Sequence, residues 1–213
     1  MKLNFTYKKD EDIWCLLNKG KSSNNSPNPT KVYEQLVEFA GEDPDKKTTS
    51  KFIDKYIIDN KIDIEKYIIK YQNNFNNVSE DFQKIAMKVF GVSLPEDIKV
   101  YLTINNRCPY SLKENLFFVS LSNNSALITA MHELWHFYTW HKFGTGEQER
   151  IGFKKYNDTK EALTVLLNIE CKHLLPEGAE DTGYSQHQEL RKKILKLWEQ
   201  NPNIDFIWKE LTN

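Results

Sequence analysis

The chain contains His132-Glu133-Leu134-Trp135-His136, two histidines four residues apart with a glutamate directly after the first. Residues four apart on an α-helix lie about 40° apart around its axis and one turn on. Both imidazoles therefore leave one face and can share a metal ion. Glu133 sits where it can reach water on that ion without replacing a histidine as ligand. The flanking residues are apolar on most faces: Leu127, Ile128, Met131, Leu134, Trp135, Phe137, Tyr138 and Trp140. Two imidazoles and a carboxylate are costly to bury in such a helix without strong compensation, which a cation supplies. The competing reading is a pair of hydrogen-bonded core histidines beside a solvated glutamate.

A catalytic zinc takes three protein ligands and leaves a fourth position to water, so a third ligand is needed. The extended pattern HExxHxxGxxH fails, because Thr139 and Lys142 stand where its glycine and third histidine would be. His141 points about 140° away from His136 and reads as a surface or core residue. Glu161, in KEALTVLLN, is the favoured third ligand; Glu147, Glu149, Glu170 and Glu177 are the alternatives. Asp158 and Glu161 also have the spacing of a capping-box start, a purely structural role for the same glutamate.

These residues need elements to hold them. A helix is expected over Ala126 to Phe143, ended by the GTG of residues 144–146, with GTGEQERIGFKKYND as a polar loop and a second helix from Thr159 to Leu174. Further helices are expected at Gln186 to Gln200 and Ile204 to Leu211, split by Pro202. Upstream, KSSNNSPNPT reads as a loop, followed by helices over 31–40 with Thr30 as N-cap, Phe52 to Asp59, Ile62 to Phe75 and Glu80 to Phe90 after a Ser79 cap. Two β-branched or aromatic runs, Ile98 to Ile104 and Leu116 to Leu121, read as strands, and the polar SNNS at 122–125 as a turn. The expected fold is α+β and predominantly helical. It has a small sheet whose edge strand packs on the HExxH helix, and a second ligand-bearing helix. Residues 1–95 read as a mostly helical N-terminal region and 96–213 as the metal-bearing domain.

Composition narrows the partners. Lys and Arg number 29 against 30 Asp and Glu, giving a net charge of −1, and only three of the basic residues are arginine. That balance argues against nucleic acid or an anionic membrane as main partner. No stretch approaches the roughly 20 apolar residues of a membrane span. The N-terminus lacks the apolar core of a signal peptide, so a cytoplasmic location is expected. Mean hydropathy is low at −0.64, yet five tryptophans among 13% aromatic residues mark a folded chain. Three cysteines without a CxxC pair fit a reducing compartment and small buried apolar roles.

HELWH followed by Glu161 in an E-A-L-x-x-x-L helix resembles the gluzincin metallopeptidases over roughly residues 116–175. LLPE at Leu174 to Glu177 is similar to the ImmA/IrrE-type intracellular regulatory peptidases. The resemblance implies one Zn²⁺ held by His132, His136 and Glu161, with Glu133 as general base for peptide-bond hydrolysis. It also implies a peptide or protein substrate lying antiparallel along an edge strand at Leu116 to Leu121, and an oxyanion donor. Tyr184 and His187 are the candidates for that donor, with Tyr156 a further one. One departure is Val165, which stands where many gluzincins have an acidic residue bonded to a metal-binding histidine. Thr164, Asn168 or a backbone carbonyl would then have to act in its place. That gap motivates a rival expectation: a non-enzymatic binding or regulatory protein on a peptidase-like scaffold.

Overall fold

The computed structural model describes residues 2–23, 26–122 and 125–213. Parts of the loop expected at 21–30 and of the turn expected at 122–125 lie outside the described residues. The fold is α+β and predominantly helical, and the chain divides into two compact units. The first, of residues 2–76 and 97–126, holds the sheet; the second, of residues 77–96 and 127–213, is helical. Neither unit is one continuous stretch.

The sheet unit runs β1 (Asn4–Tyr7), α1 (Lys9–Lys19), α2 (Lys31–Ala40), α3 (Lys46–Asp59), α4 (Ile64–Asn76), β2 (Lys99–Thr103), β3 (Tyr110–Ser111) and β4 (Leu116–Ser120). Strand order is β1-β2-β4-β3, with β1 and β4 parallel to β2 and β3 antiparallel to β4. Burial on both faces explains the near-continuous apolar run of β4, where Phe117, Phe118 and Val119 are all buried. Thr30 caps α2 as expected, its hydroxyl accepting from Tyr33 N–H. β4 is an inner strand, which corrects the expectation of an edge at Leu116 to Leu121. Leu116 and Phe117 pair with Ser111 and Tyr110, the Phe118 N–H donates to the Pro109 carbonyl, and the Tyr71 hydroxyl reaches the Ser120 carbonyl. Strand addition of a peptide there would have to displace bonds already made.

The helical unit runs α5 (Ser79–Phe90), α6 (Ala126–Ile151), α7 (Phe153–Leu163), α8 (Leu167–Glu170), α9 (Gln188–Gln200) and α10 (Ile204–Thr212), with short 3₁₀ turns at Thr164–Leu166, Lys172–Leu174 and Ser185–His187. Its core forms on α6. Phe82 and Phe90 of α5 meet Trp135 and Tyr138 at centroid distances of 5.0 to 6.3 Å. Farther along α6, Phe143 stacks on Trp208 at 4.0 Å and Trp140 meets Tyr156 edge-on. Among the described residues no helix is long and apolar enough to cross a membrane.

The expected loop between the two ligand-bearing helices is largely absent. Gly144 leaves helical geometry (φ 53°, ψ −157°), but the helix resumes and runs to Ile151, and α7 begins two residues later. The polar composition of this stretch reflects a solvated helix surface. Glu147 pairs with Arg150 three residues on and accepts from the Trp208 indole at 2.6 Å, fastening the segment to α10. Glu161 consequently lies near the C-terminal end of α7 and not at a helix start. The capping-box role for Asp158 and Glu161 does not arise.

Candidate metal centre

His132 and His136 leave α6 on one face, as their spacing requires, with ring centroids 4.4 Å apart. Glu161 is brought to them by the junction of α6 and α7. Trp135, between the two histidines in sequence, donates its indole N–H to the Leu163 carbonyl at 3.1 Å, pinning the end of α7 against the motif. Glu161 Oε2 then lies 3.2 Å from His136 Nε2 and 3.7 Å from His132 Nε2. That oxygen is buried and, among the described residues, makes no hydrogen bond. Its companion Oε1 accepts from the Lys160 ammonium at 2.7 Å.

One donor atom from each of His132, His136 and Glu161 lies within 4.8 Å of the others, so the three could hold a metal ion. Donors bonded at roughly 2.0–2.1 Å in a tetrahedron stand about 3.4 Å apart, close to both distances at Glu161. Two imidazole nitrogens and one carboxylate oxygen are also the donor types of a divalent transition ion. The residues fit such a group. Among the described residues no fourth His, Cys, Asp or Glu joins them.

His132 is fixed from behind by a residue the sequence did not reveal. Its Nδ1 donates to Asp181 Oδ1 at 2.8 Å, since a carboxylate only accepts, which leaves Nε2 as the ring nitrogen that faces Glu161. Asp181 is held in turn on all sides. Its Oδ2 accepts from Thr164 at 2.7 Å and from Arg191 at 3.0 Å, and its backbone N–H and carbonyl bond the Asn168 side chain. Thr164 and Asn168, expected as direct partners of a histidine, instead hold Asp181, Thr164 through its carboxylate and Asn168 through its backbone. The carboxylate comes from a coil segment 49 residues along from His132, which local spacing cannot show.

The electrostatics move the two imidazoles in opposite directions. Burial opposes a proton on His132, but its bond to Asp181 and the nearby Glu161 carboxylate outweigh burial and raise its pKa to about 10. His136 goes the other way, lowered to about 3 by burial and the Lys160 charge. Burial would raise Glu161, but the two imidazoles hold it well below the usual carboxylate range. Glu133 is 6% exposed with Oε2 unbonded, and burial lifts it to about 7.

The remaining candidates have other partners or are exposed. His187 is buried and its Nε2 faces Asp158 at 3.1 Å. Tyr184, 39% exposed, rests edge-on against His187 at 5.9 Å. Tyr156 is buried between Trp140 and Trp208. Of the alternative carboxylates, Glu147 is taken by Arg150 and Trp208 and Glu170 accepts from Trp198, while Glu149 and Glu177 are exposed, as are His141 and His173. Comparison with protein-family models, with curated proteins and with solved structures finds no match to this chain.

Proposed function

We propose that the protein is a zinc-dependent peptidase of the gluzincin type. In this reading His132, His136 and Glu161 hold the ion and Glu133 is the general base. The observation that carries it is Glu161 Oε2: a buried carboxylate oxygen, without a hydrogen bond, set between two imidazole nitrogens at 3.2 and 3.7 Å. An unsatisfied buried acceptor is costly, and a shared cation removes the cost.

Zn²⁺ held there would supply Lewis acidity, polarising a carbonyl and bringing the pKa of bound water to about 7. The protein's own groups do the rest. Asp181 keeps the His132 proton on Nδ1 and so presents Nε2. Glu133 takes one proton from the attacking water as its oxygen bonds the carbonyl carbon. It delivers that proton to the amide nitrogen as the C–N bond breaks, and the water's second proton follows to the amine, leaving a carboxylate and an ammonium group. A side chain lifted towards neutral pH by burial is suited to both transfers. Peptide or protein substrates and a cytosolic setting belong to the same reading, the latter supported by three free cysteines. A non-enzymatic binding or regulatory protein is the alternative reading; the acidic partner that Val165 does not supply to a histidine comes from Asp181, which supports the hydrolytic reading.

The test is hydrolysis of a quenched fluorescent peptide library by the zinc-loaded protein and by Glu133→Gln. The variant is expected to keep its zinc and lose activity by about 10²–10⁴-fold. Undiminished cleavage by the variant, or none by the zinc-loaded wild type across the library, would overturn the proposal.

A further inference from the structure

Lys160 is an unusual neighbour for a metal ligand. Its side chain is only 3% exposed, and its ammonium lies 2.7 Å from Glu161 Oε1. Consecutive helix residues point about 100° apart and do not normally meet. Here the four-carbon stem of Lys160 turns back to the carboxylate beside it. A buried ammonium is costly unless bonded to an opposite charge, which fixes this pair firmly. The charge is near enough to act on Glu133 and His136 as well.

The two oxygens of Glu161 thus have different surroundings. Oε1 carries a charge-assisted hydrogen bond, whereas Oε2 has none and faces both Nε2 atoms. A carboxylate can bind a metal through one oxygen or both. If both oxygens bound, the second would compete for the position that a hydrolytic site must leave to water.

We infer that Lys160 is a positioning residue which, by occupying Glu161 Oε1, confines the carboxylate to a single metal bond through Oε2 and keeps one coordination position open. The inference rests on the reading that His132, His136 and Glu161 hold the ion. A lysine suits this task, because its compact ammonium engages one oxygen where the planar arginine fork favours both.

The test uses the full chain loaded with Co²⁺, whose visible bands are stronger in four-coordinate than in five-coordinate sites. Lys160→Met keeps the length and apolar stem but leaves Oε1 free, so absorbance per bound ion is expected to fall by about twofold or more as the carboxylate turns bidentate. Lys160→Gln, whose amide N–H can still donate to Oε1, is expected to restore the wild-type spectrum. A lysine serving only stability would shift the thermal midpoint and leave the spectrum per ion unchanged, and an unchanged Lys160→Met spectrum overturns the inference alone. A wild-type chain that takes up no Co²⁺ overturns the metal reading itself, and this inference with it. Should Lys160→Met fail to fold, X-ray absorption on the zinc-loaded wild type decides: a shell of four donors supports the assignment, and five donors with a chelating carboxylate overturn it.

Discussion

His132 Nδ1 and Asp181 Oδ1 lie 2.8 Å apart across 49 residues of sequence, and this bond sets which imidazole nitrogen faces Glu161. The carboxylate is itself fixed by Thr164 and Arg191, and the Asp181 backbone by the Asn168 side chain. Histidine orientation at the site therefore depends on a buried network reaching from α6 to α9.

Asp181→Ala should weaken metal affinity by about 10–100-fold, read by competition with a chelator. It should also destabilise the fold by about 3–5 kcal/mol, because Arg191 would be left buried without its carboxylate. Thr164→Val removes one hydrogen bond to the same carboxylate. Its stability loss should be about 1 kcal/mol, with a correspondingly smaller change in affinity.

Gly183 adopts φ +59°, and a Cβ there would meet Arg191 Nη1 at 2.5 Å. Gly183→Ala should displace the guanidinium from Asp181 and lower stability by about 1–3 kcal/mol in thermal melts. Gly146, in the helical stretch beyond the Gly144 kink, has nothing within 4 Å of an added Cβ. Gly146→Ala should raise stability by about 0.5–1 kcal/mol, since alanine loses less entropy in a helix.

Asp12, in the sheet unit, is fully buried and accepts from the Thr103 hydroxyl at 2.5 Å, the Ile104 N–H at 3.1 Å and the Tyr7 hydroxyl at 3.1 Å. Burial outweighs these bonds and lifts its pKa from 3.8 to about 6. The folded state then binds this proton more tightly than the unfolded chain. The stabilisation is fully present below pH 3.8 and is lost as pH rises through about 6. Denaturant unfolding between pH 4 and 8 should show wild-type stability falling relative to Asp12→Asn, by about 3 kcal/mol over the full window.

What the sequence revealed was local. The four-residue spacing of His132 and His136 specifies a shared face through helix geometry alone, and Glu161 is the favoured one of five downstream carboxylates. Asp181 could not be read, because its role comes from a coil segment folded onto α6, and one acidic residue looks like another until its partners are known. The stretch after Gly144 misled for a different reason. Its polarity resembles a loop, yet glutamine, glutamate and arginine are good helix formers, and the contacts of Glu147 with Arg150 and Trp208 hold it helical. β1 and β3, of four and two residues, were too short to give a pattern. Without β3, β4 looked like an edge.

The most direct test of the central claim is elemental analysis of the purified, dialysed chain alongside Glu161→Ala. About one zinc per wild-type chain, and a near-complete loss in the variant with folding retained by circular dichroism, is the predicted result. Wild-type protein that cannot be loaded with zinc, or zinc retained in full by Glu161→Ala, would contradict it.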